Sequence, residues 1–390
     1  MRKIAAQYIF PIVDKPIKNG VITLNDKDEI IAIGRLDGEE ESVEFYNGIL
    51  CPGFINAHCH LELSSLLGMI PQHTSLFGFI QQMTSRPQLN EQDQISAILK
   101  ADSKMVAEGI VAVGDISNTS ISFDIKTSSP IFYRNFIEVY GSSPAIADTQ
   151  FNKGSAVVAQ AALRGLSASL TPHAPYSMSD KLFKLVVAEA IKVGILSIHN
   201  QESQDENEYF INGKGPFAKQ LAIDDIEPFT TIGKTSIHRV LNELTESIKL
   251  LLIHNIYTSE EDYDIAVDRN KDTNWVLCPN SNLYIEKQLP PVELFRRKGA
   301  NIAIGTDSLA SNTSLSMLEE LKAIAKYFRD VRLEELLTWA TLGGAKALGF
   351  DEHLGSFEIG KKPHVVLIEG VDFSAMQLTN DSNITLLTRK

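Results

Sequence analysis

The sequence predicts a (β/α)8 TIM barrel with a small β-sandwich domain built from both chain termini, and three observations carry that prediction. From Ile49 onward, eight short apolar runs alternate with longer amphipathic stretches, the pattern of repeated βα units. Several runs follow a helix-ending glycine, as in VAEGI, IKVGI and RRKGANI, at distances that fit one helix plus its loops. The two ends of the chain share short β-like runs broken by turn residues. A chain of 390 residues with 44% hydrophobic side chains can bury a core of that size.

In chain order, GVITLN (20–25) and EIIAIG (29–34) begin the terminal unit, and SFEIGKKPHVVLI (356–368) rejoins it. The predicted domains are therefore 1–48 plus 356–390, and a barrel over 49–355. The eight strand candidates are ILCPGFINAH (49–58), GIVAVGDIS (109–117), PIFYRNFIEVYG (130–141), LSASLTPHAP (166–175), GILSIHN (194–200), LLLIHNIY (250–257), NWVLCPNS (274–281) and NIAIGTDS (301–308). A doubly wound open sheet competes, but it wants a glycine-rich phosphate loop after its first strand, where this chain has His58 and His60. The stretch 203–248 is too long for an ordinary βα connection and starts polar, so it is either a lid over the barrel mouth or a surface elaboration.

Charge and cysteine usage exclude several classes. Lys and Arg total 36 against 49 for Asp and Glu, and a net charge of −13 repels a phosphate backbone, so nucleic acid is not an expected partner. Three cysteines (Cys51, Cys59, Cys278) are too few and too odd in number for a disulfide framework, which predicts the cytoplasm. Pro11 and Pro16 interrupt the first apolar residues, and no uncharged stretch approaches the roughly 20 residues of a membrane span. No membrane association or export is expected.

The chemistry gathers at the predicted strand ends. His58 and His60 sit two apart, so alternation in a strand points both imidazoles the same way, as a metal-ligand pair, and turns Cys59 outward as a packing residue. His199 closes the fifth strand, His254 lies in the sixth and Asp307 ends the eighth, and strand C-termini are where barrel enzymes keep their sites. Imidazoles and a carboxylate make a mixed shell that suits zinc, while iron or manganese accept similar ligands. Such an ion lowers the pKa of bound water toward ~7, and an Asp beside it can ligate and accept the water's proton, which predicts hydrolysis.

PGFINAHCHLELS, TPHAPYS, HNQE, IHN, CPNSNL and GTDSLASNTSLSMLEEL, in that order and spacing, resemble the metal-dependent amidohydrolase superfamily, in its branch of aminopurine and pyrimidine deaminases and triazine chlorohydrolases. The resemblance runs through the whole barrel and implies a terminal β-sandwich beside it. Carried over residue by residue, it implies that His58, His60, His199 and Asp307 ligate one divalent metal ion. Glu202, three residues after His199, becomes the proton shuttle that protonates a ring nitrogen and then the leaving amine. His254 resembles the histidine that stabilises charge at the attacked centre, although in other branches its equivalent ligates metal. His173, in TPHAPYS, is expected against the substrate heterocycle. Glu62 is open between a contact to ribose hydroxyls or an exocyclic amine and a buried partner of the histidines. Ser308, Asn312 and Asn282 are assigned to holding loops. Arg86 could pair a substrate carboxylate, whereas Arg134 reads as a core salt-bridge residue.

HLELS together with TPHAPYS looks most like deaminases of adenine-bearing nucleosides, including aminodeoxyfutalosine deaminases. The implied activity is hydrolytic deamination of an aminopurine nucleoside or related heterocycle, with a small molecule as partner and a homo-oligomer, such as a dimer, as assembly. A chlorohydrolase of a heterocycle is the alternative. A catalytically inactive scaffold is a further one, but such proteins have broken ligand sets and here every position is filled.

Overall fold

The computed structural model describes all residues except 39–41, 87–88, 225, 227–232 and 389–390. Parts of the stretch 203–248 and of the terminal unit therefore lie outside the described residues. Strands β1 (Arg2–Ile9), β2 (Ile17–Leu24), β3 (Ile30–Arg35) and β4 (Val43–Cys51) join β13 (Val366–Glu369) and β14 (Asn383–Leu386) in one six-stranded sheet of order β14-β13-β4-β1-β2-β3. Both ends of the chain thus share a sheet, with β4 lying between the N-terminal β1 and the C-terminal β13. Ile4, Ile22, Ile30, Leu50, Phe357 and Leu367 make an apolar cluster of its own in this unit.

The run 49–58 is two strands. Ile49 to Cys51 pair with β13, and a new strand, β5 (Phe54–Cys59), starts after Pro52 and Gly53. Proline lacks the amide proton a continuous ladder needs, so the chain leaves one sheet and enters the next there. β5, β6 (Ile110–Ser117), β7 (Phe132–Val139) and β8 (Ser167–Pro172) form one parallel four-stranded sheet. β9 (Ile195–Asn200), β10 (Lys249–His254), β11 (Thr273–Leu277) and β12 (Asn301–Ile304) form a second. At one pair of outer edges the His199 amide donates to the His173 carbonyl at 3.0 Å; at the other, the Thr306 and Asp307 amides both donate to the His58 carbonyl.

These strands are buried on both faces, so each reads as a continuous apolar run. The side-chain alternation still shows. Leu250, Leu252, Trp275, Leu277, Ile302 and Ile304 belong to the large cluster shared with the flanking helices, while Leu251, Ile253, Val276 and Ala303 pack in a second cluster with Ala345 and Leu348. The seventh run ends earlier than its composition suggests, because Pro279 takes the first turn of helix Pro279–Glu286, where a missing N–H costs nothing. Among the described residues no helix is long and apolar enough to cross a membrane.

Candidate active site

Each expected site residue lies at a strand end or in the loop just after it, and all but Glu62 converge. The Nε2 atom of His60 is 3.2 Å from that of His58 and 3.3 Å from that of His199. Asp307 Oδ1 is 3.5 Å from His58 Nε2 and 3.4 Å from His60 Nε2. His254 Nε2 is 3.5 Å from Glu202 Oε1. His58, His199, His254 and Asp307 each offer one donor atom within 4.8 Å of the others, and His60, His199 and Glu138 do the same. His254, expected beside the ligands, thus stands as close to them as they do to one another.

Local structure fixes each group. Gly305, of the GTDS motif, lets the chain run against β5: a Cβ there would meet the His58 Cβ at 2.8 Å. Asp307 has left-handed backbone (φ 58°), as do His254 (φ 74°), Asn255 (φ 59°) and Gln201 (φ 48°), conformations non-glycine residues adopt only when their surroundings enforce them. Asp307 Oδ2 accepts hydrogen bonds from Ser281 Oγ and Ser311 Oγ, each at 2.6 Å, leaving Oδ1 toward the imidazoles. Glu206 accepts from the amides of Gln201 and Glu202 at 3.0 Å, clamping the turn that carries Glu202.

The tautomers follow from these partners. His199 Nδ1 lies 2.7 Å from the His173 carbonyl, which can only accept, so that nitrogen carries the proton and Nε2 presents a lone pair. His254 Nδ1 faces Asn282 Oδ1 at 2.7 Å, with the same consequence. Burial keeps the rings neutral: His60 is pushed down to about 3, His173 and His254 to about 4, and His199 well below its ordinary value. Burial pushes the Asp307 carboxyl up, but the hydrogen bond from His58 and the surrounding imidazoles outweigh it and hold the group well below the usual range. Burial, reinforced by the charges of Asp307, Glu206 and Glu286, holds Glu202 well above it. Converging lone pairs beside an ionised carboxylate, in a dry pocket, fit a cation and little else.

His173 borders His199, ring centroids 4.8 Å apart, and its Nδ1 bonds Ser177 Oγ at 2.8 Å, which leaves Nε2 for another partner. Glu62 is buried, but both carboxylate oxygens are taken by residues 118 and 119: Oε2 accepts from the Asn118 amide at 3.1 Å, and Oε1 from the Thr119 amide and hydroxyl. It holds a loop. Cys59 packs in the outer apolar cluster, Asn282 holds His254, and Asn312 bonds the Thr306 carbonyl and Glu320. Arg86 is exposed and bonds the Met83 carbonyl of its own helix. Arg134 meets Ser167 Oγ at 3.0 Å, an uncharged partner in place of the expected carboxylate.

The sequence reading missed several buried ionisable groups, three of them close to the site's framework. Glu138 ends β7 inside the site, and burial raises it to about 7. Glu206 lies in the acidic run after Glu202 yet is fully buried. Lys126, also fully buried, bonds Asp115 Oδ2 at 2.5 Å, Ser117 Oγ and Asn135 Oδ1, and Asp115 in turn accepts from the Leu61 amide beside His60. The signal for Glu138 and Asp115 was present: each is the lone carboxylate of its strand run.

Two helices of the stretch 203–248 pack an apolar wall beside His173. Tyr209, Phe210, Phe217 and Leu221, from its helices Gln204–Asn212 and Pro216–Ile223, cluster with Leu76, Tyr176 and Ile285. Tyr176 stacks on Phe217 at 4.3 Å and meets the His173 ring edge-on at 5.8 Å.

Comparisons with known proteins agree with this architecture. The model of the amidohydrolase family matches residues 49–389. The chain is 29% identical over 327 residues to an adenosine deaminase of Helicobacter pylori, covering 82% of this chain and 78% of that one. It is 28% identical over 331 residues to an aminodeoxyfutalosine deaminase of Nitratiruptor, covering 83% and 79%. Among solved structures, an aminofutalosine deaminase of Helicobacter pylori in complex with methylthio-coformycin superposes with a TM-score of 0.80 at 25% identity, over 97% of this chain and 94% of that one. An atrazine chlorohydrolase mutant from Arthrobacter aurescens shares the fold, with a TM-score of 0.76 at 17% identity over 95% and 88%. With the family's match spanning every strand end that carries the site, the chain belongs to the amidohydrolase family.

Proposed function

We propose that the protein is a metal-dependent hydrolase that deaminates an aminopurine nucleoside, water replacing the exocyclic amine and ammonia leaving. The observation that carries this reading is the pair Glu202 and His254, 3.5 Å apart and set against the cluster of His58, His60, His199 and Asp307. Those four residues would hold one divalent ion, zinc by preference and iron as the alternative, which supplies a water of pKa near ~7. Asp307, which turns Oδ1 toward the imidazoles, would serve both as ligand and as acceptor of a proton from the attacking water. Glu202, whose burial favours the protonated carboxyl, delivers a proton to a ring nitrogen and, after recharging, to the departing amine. His254 turns its Nε2 lone pair to the attacking water and accepts a hydrogen bond from it, and His173 offers Nε2 to the heterocycle.

Supporting the fold in detail, the hydrogen bonds His199 to His173 and Asp307 to His58 join the outer edges of the two parallel sheets, as closure into a (β/α)8 barrel over 49–355 requires. The shared six-stranded sheet supports a terminal β-sandwich unit from 1–48 plus 356–390, with β4 carrying it to Cys51. Three free, buried cysteines suit the cytoplasm. The resemblance supports a homo-oligomer, a dimer by preference, each site complete within one chain.

Deamination is favoured over dechlorination because the relatives of higher identity are named deaminases, and because an amine needs a proton to leave whereas chloride does not. Ammonia release from a panel of aminated purine nucleosides, with chloride release from chlorinated triazines measured beside it, tests the reading. Ammonia from at least one purine nucleoside is expected. Chloride release alone would overturn it.

A further inference from the structure

We propose that Lys126 is a positioning residue that, through Asp115, holds the backbone after His60 and so sets that imidazole in place before any ion arrives, an inference that rests on the metal-ligand reading above. His60 opens the short helix Leu61–Leu66, and its side chain makes no capping bond there, because its ring is turned to His58 and His199. The first amides of a helix have no partner within it, and a buried one left unpaired is costly. Leu61 is buried, and its amide finds its acceptor on another strand: Asp115 Oδ1, 2.8 Å away. A carboxylate on β6 thus does a share of the capping that the opening residue of a helix ordinarily does with its own side chain.

The ladder between β5 and β6 leaves this bond to a side chain. Its register shifts between Asn56 and Cys59, and the last pair is Cys59 opposite Asp115 itself. Beyond that pair the chain leaves the strand, and the His60 amide reaches the Asp307 carbonyl at 3.5 Å. The Leu61 bond is the shorter of the two anchors on this ligand's backbone.

Lys126 fixes the direction of the carboxylate. It is the only buried lysine among the described residues, and its ammonium donates to Asp115 Oδ2 at 2.5 Å, Asn135 Oδ1 at 2.7 Å and Ser117 Oγ at 2.9 Å, which uses all three of its protons. The Phe123 and Tyr133 rings, with centroids 5.5 and 5.3 Å from Nζ, close the space around it. With Oδ2 committed to Lys126 and to the Ser117 hydroxyl, Oδ1 is left to Leu61. Two apolar side chains of the same volume would hold the fold as well as such a buried pair, but they would offer the Leu61 amide no acceptor.

The test begins with wild type stripped of metal. Because the acceptor is in place without an ion, the Leu61 amide should exchange with deuterated solvent roughly 100-fold more slowly than an unstructured amide, or slower still. Exchange at the unstructured rate would overturn the proposal, and this arm needs no variant. Two double variants then separate direction from stability. Asp115→Asn/Lys126→Met keeps an oxygen toward Leu61, whereas Asp115→Leu/Lys126→Met removes it. Loaded with zinc and given a chelator, the first should release the ion within about threefold of the wild-type rate and the second roughly 10- to 100-fold faster. Equal release from the two doubles would overturn the proposal while leaving the metal site and the deaminase reading intact. A wild type that takes up neither zinc nor iron would overturn the metal reading and this proposal with it.

Discussion

The floor of the site and its apolar wall are built on opposite principles. On the floor, each group is placed by directional bonds from backbone and short polar side chains, as in Asp307 between Ser281 and Ser311 or Glu202 on the turn clamped by Glu206. The wall of Tyr176, Phe217, Phe210 and Leu76 is assembled from four separate chain segments by contact of apolar surfaces. The floor determines what reaction occurs, because proton positions depend on hydrogen-bond geometry. The wall is expected to set what fits, because packing tolerates exchange of one apolar shape for another.

The largest effect that sharpens this contrast is expected at Asp307. Asp307→Ala removes the only carboxylate among the four proposed ligands, so bound metal should fall below about a tenth of an equivalent and turnover should vanish with it. Metal analysis of the purified variant decides the matter, since normal metal with surviving activity would remove Asp307 from its role. Next comes Glu202→Gln, which preserves shape but cannot donate the shuttled proton. Turnover should fall by roughly 10² to 10⁴ with metal content unchanged. A variant that keeps more than about a tenth of the wild-type rate, or that loses metal, would place this carboxylate elsewhere.

A smaller and different effect is expected from the wall. Phe217→Ala removes the ring stacked on Tyr176, and a lost aromatic contact of ~1 kcal/mol should raise KM by about five- to tenfold while kcat changes less. If kcat fell and KM held, the wall would be taking part in the chemistry and the contrast would fail. The smallest effect concerns Glu320, beneath the floor, which burial raises to about 8. The folded protein then holds this proton more tightly than the unfolded chain does, so stability is lost as pH rises from about 4.5 to about 8. Urea midpoints of the metal-stripped protein across that window should slope less in Glu320→Gln than in wild type. Parallel slopes would show that Glu320 gains no proton on folding.

The same contrast explains what could be read from the chain. Floor residues sit at strand ends, and a strand's period of two places His58 and His60 together without any tertiary knowledge. All eight apolar runs from Ile49 onward correspond to strands, and the local breaks within them come from Pro52 and Pro279, whose rings override apolar composition. The wall was not readable because nothing local ties Leu76 to Phe217; only the folded chain brings them together. Glu206 was hidden for another reason. An acidic run such as QESQDENE looks solvated, and its burial depends on two amides made available by the left-handed turn at Gln201. Lys126 was equally silent, since its partners Asp115 and Asn135 come from two different strands.

The four left-handed residues at Gln201, His254, Asn255 and Asp307 carry a consequence for laboratory evolution. Each holds a conformation that costs on the order of 1–3 kcal/mol, which glycine would relieve at once. A selection for heat resistance alone would therefore be drawn toward these loops and would harvest glycine there, gaining melting temperature as it dismantled the chemistry. Screens that reward survival and turnover together should leave these positions untouched and find their gains in the terminal sheet.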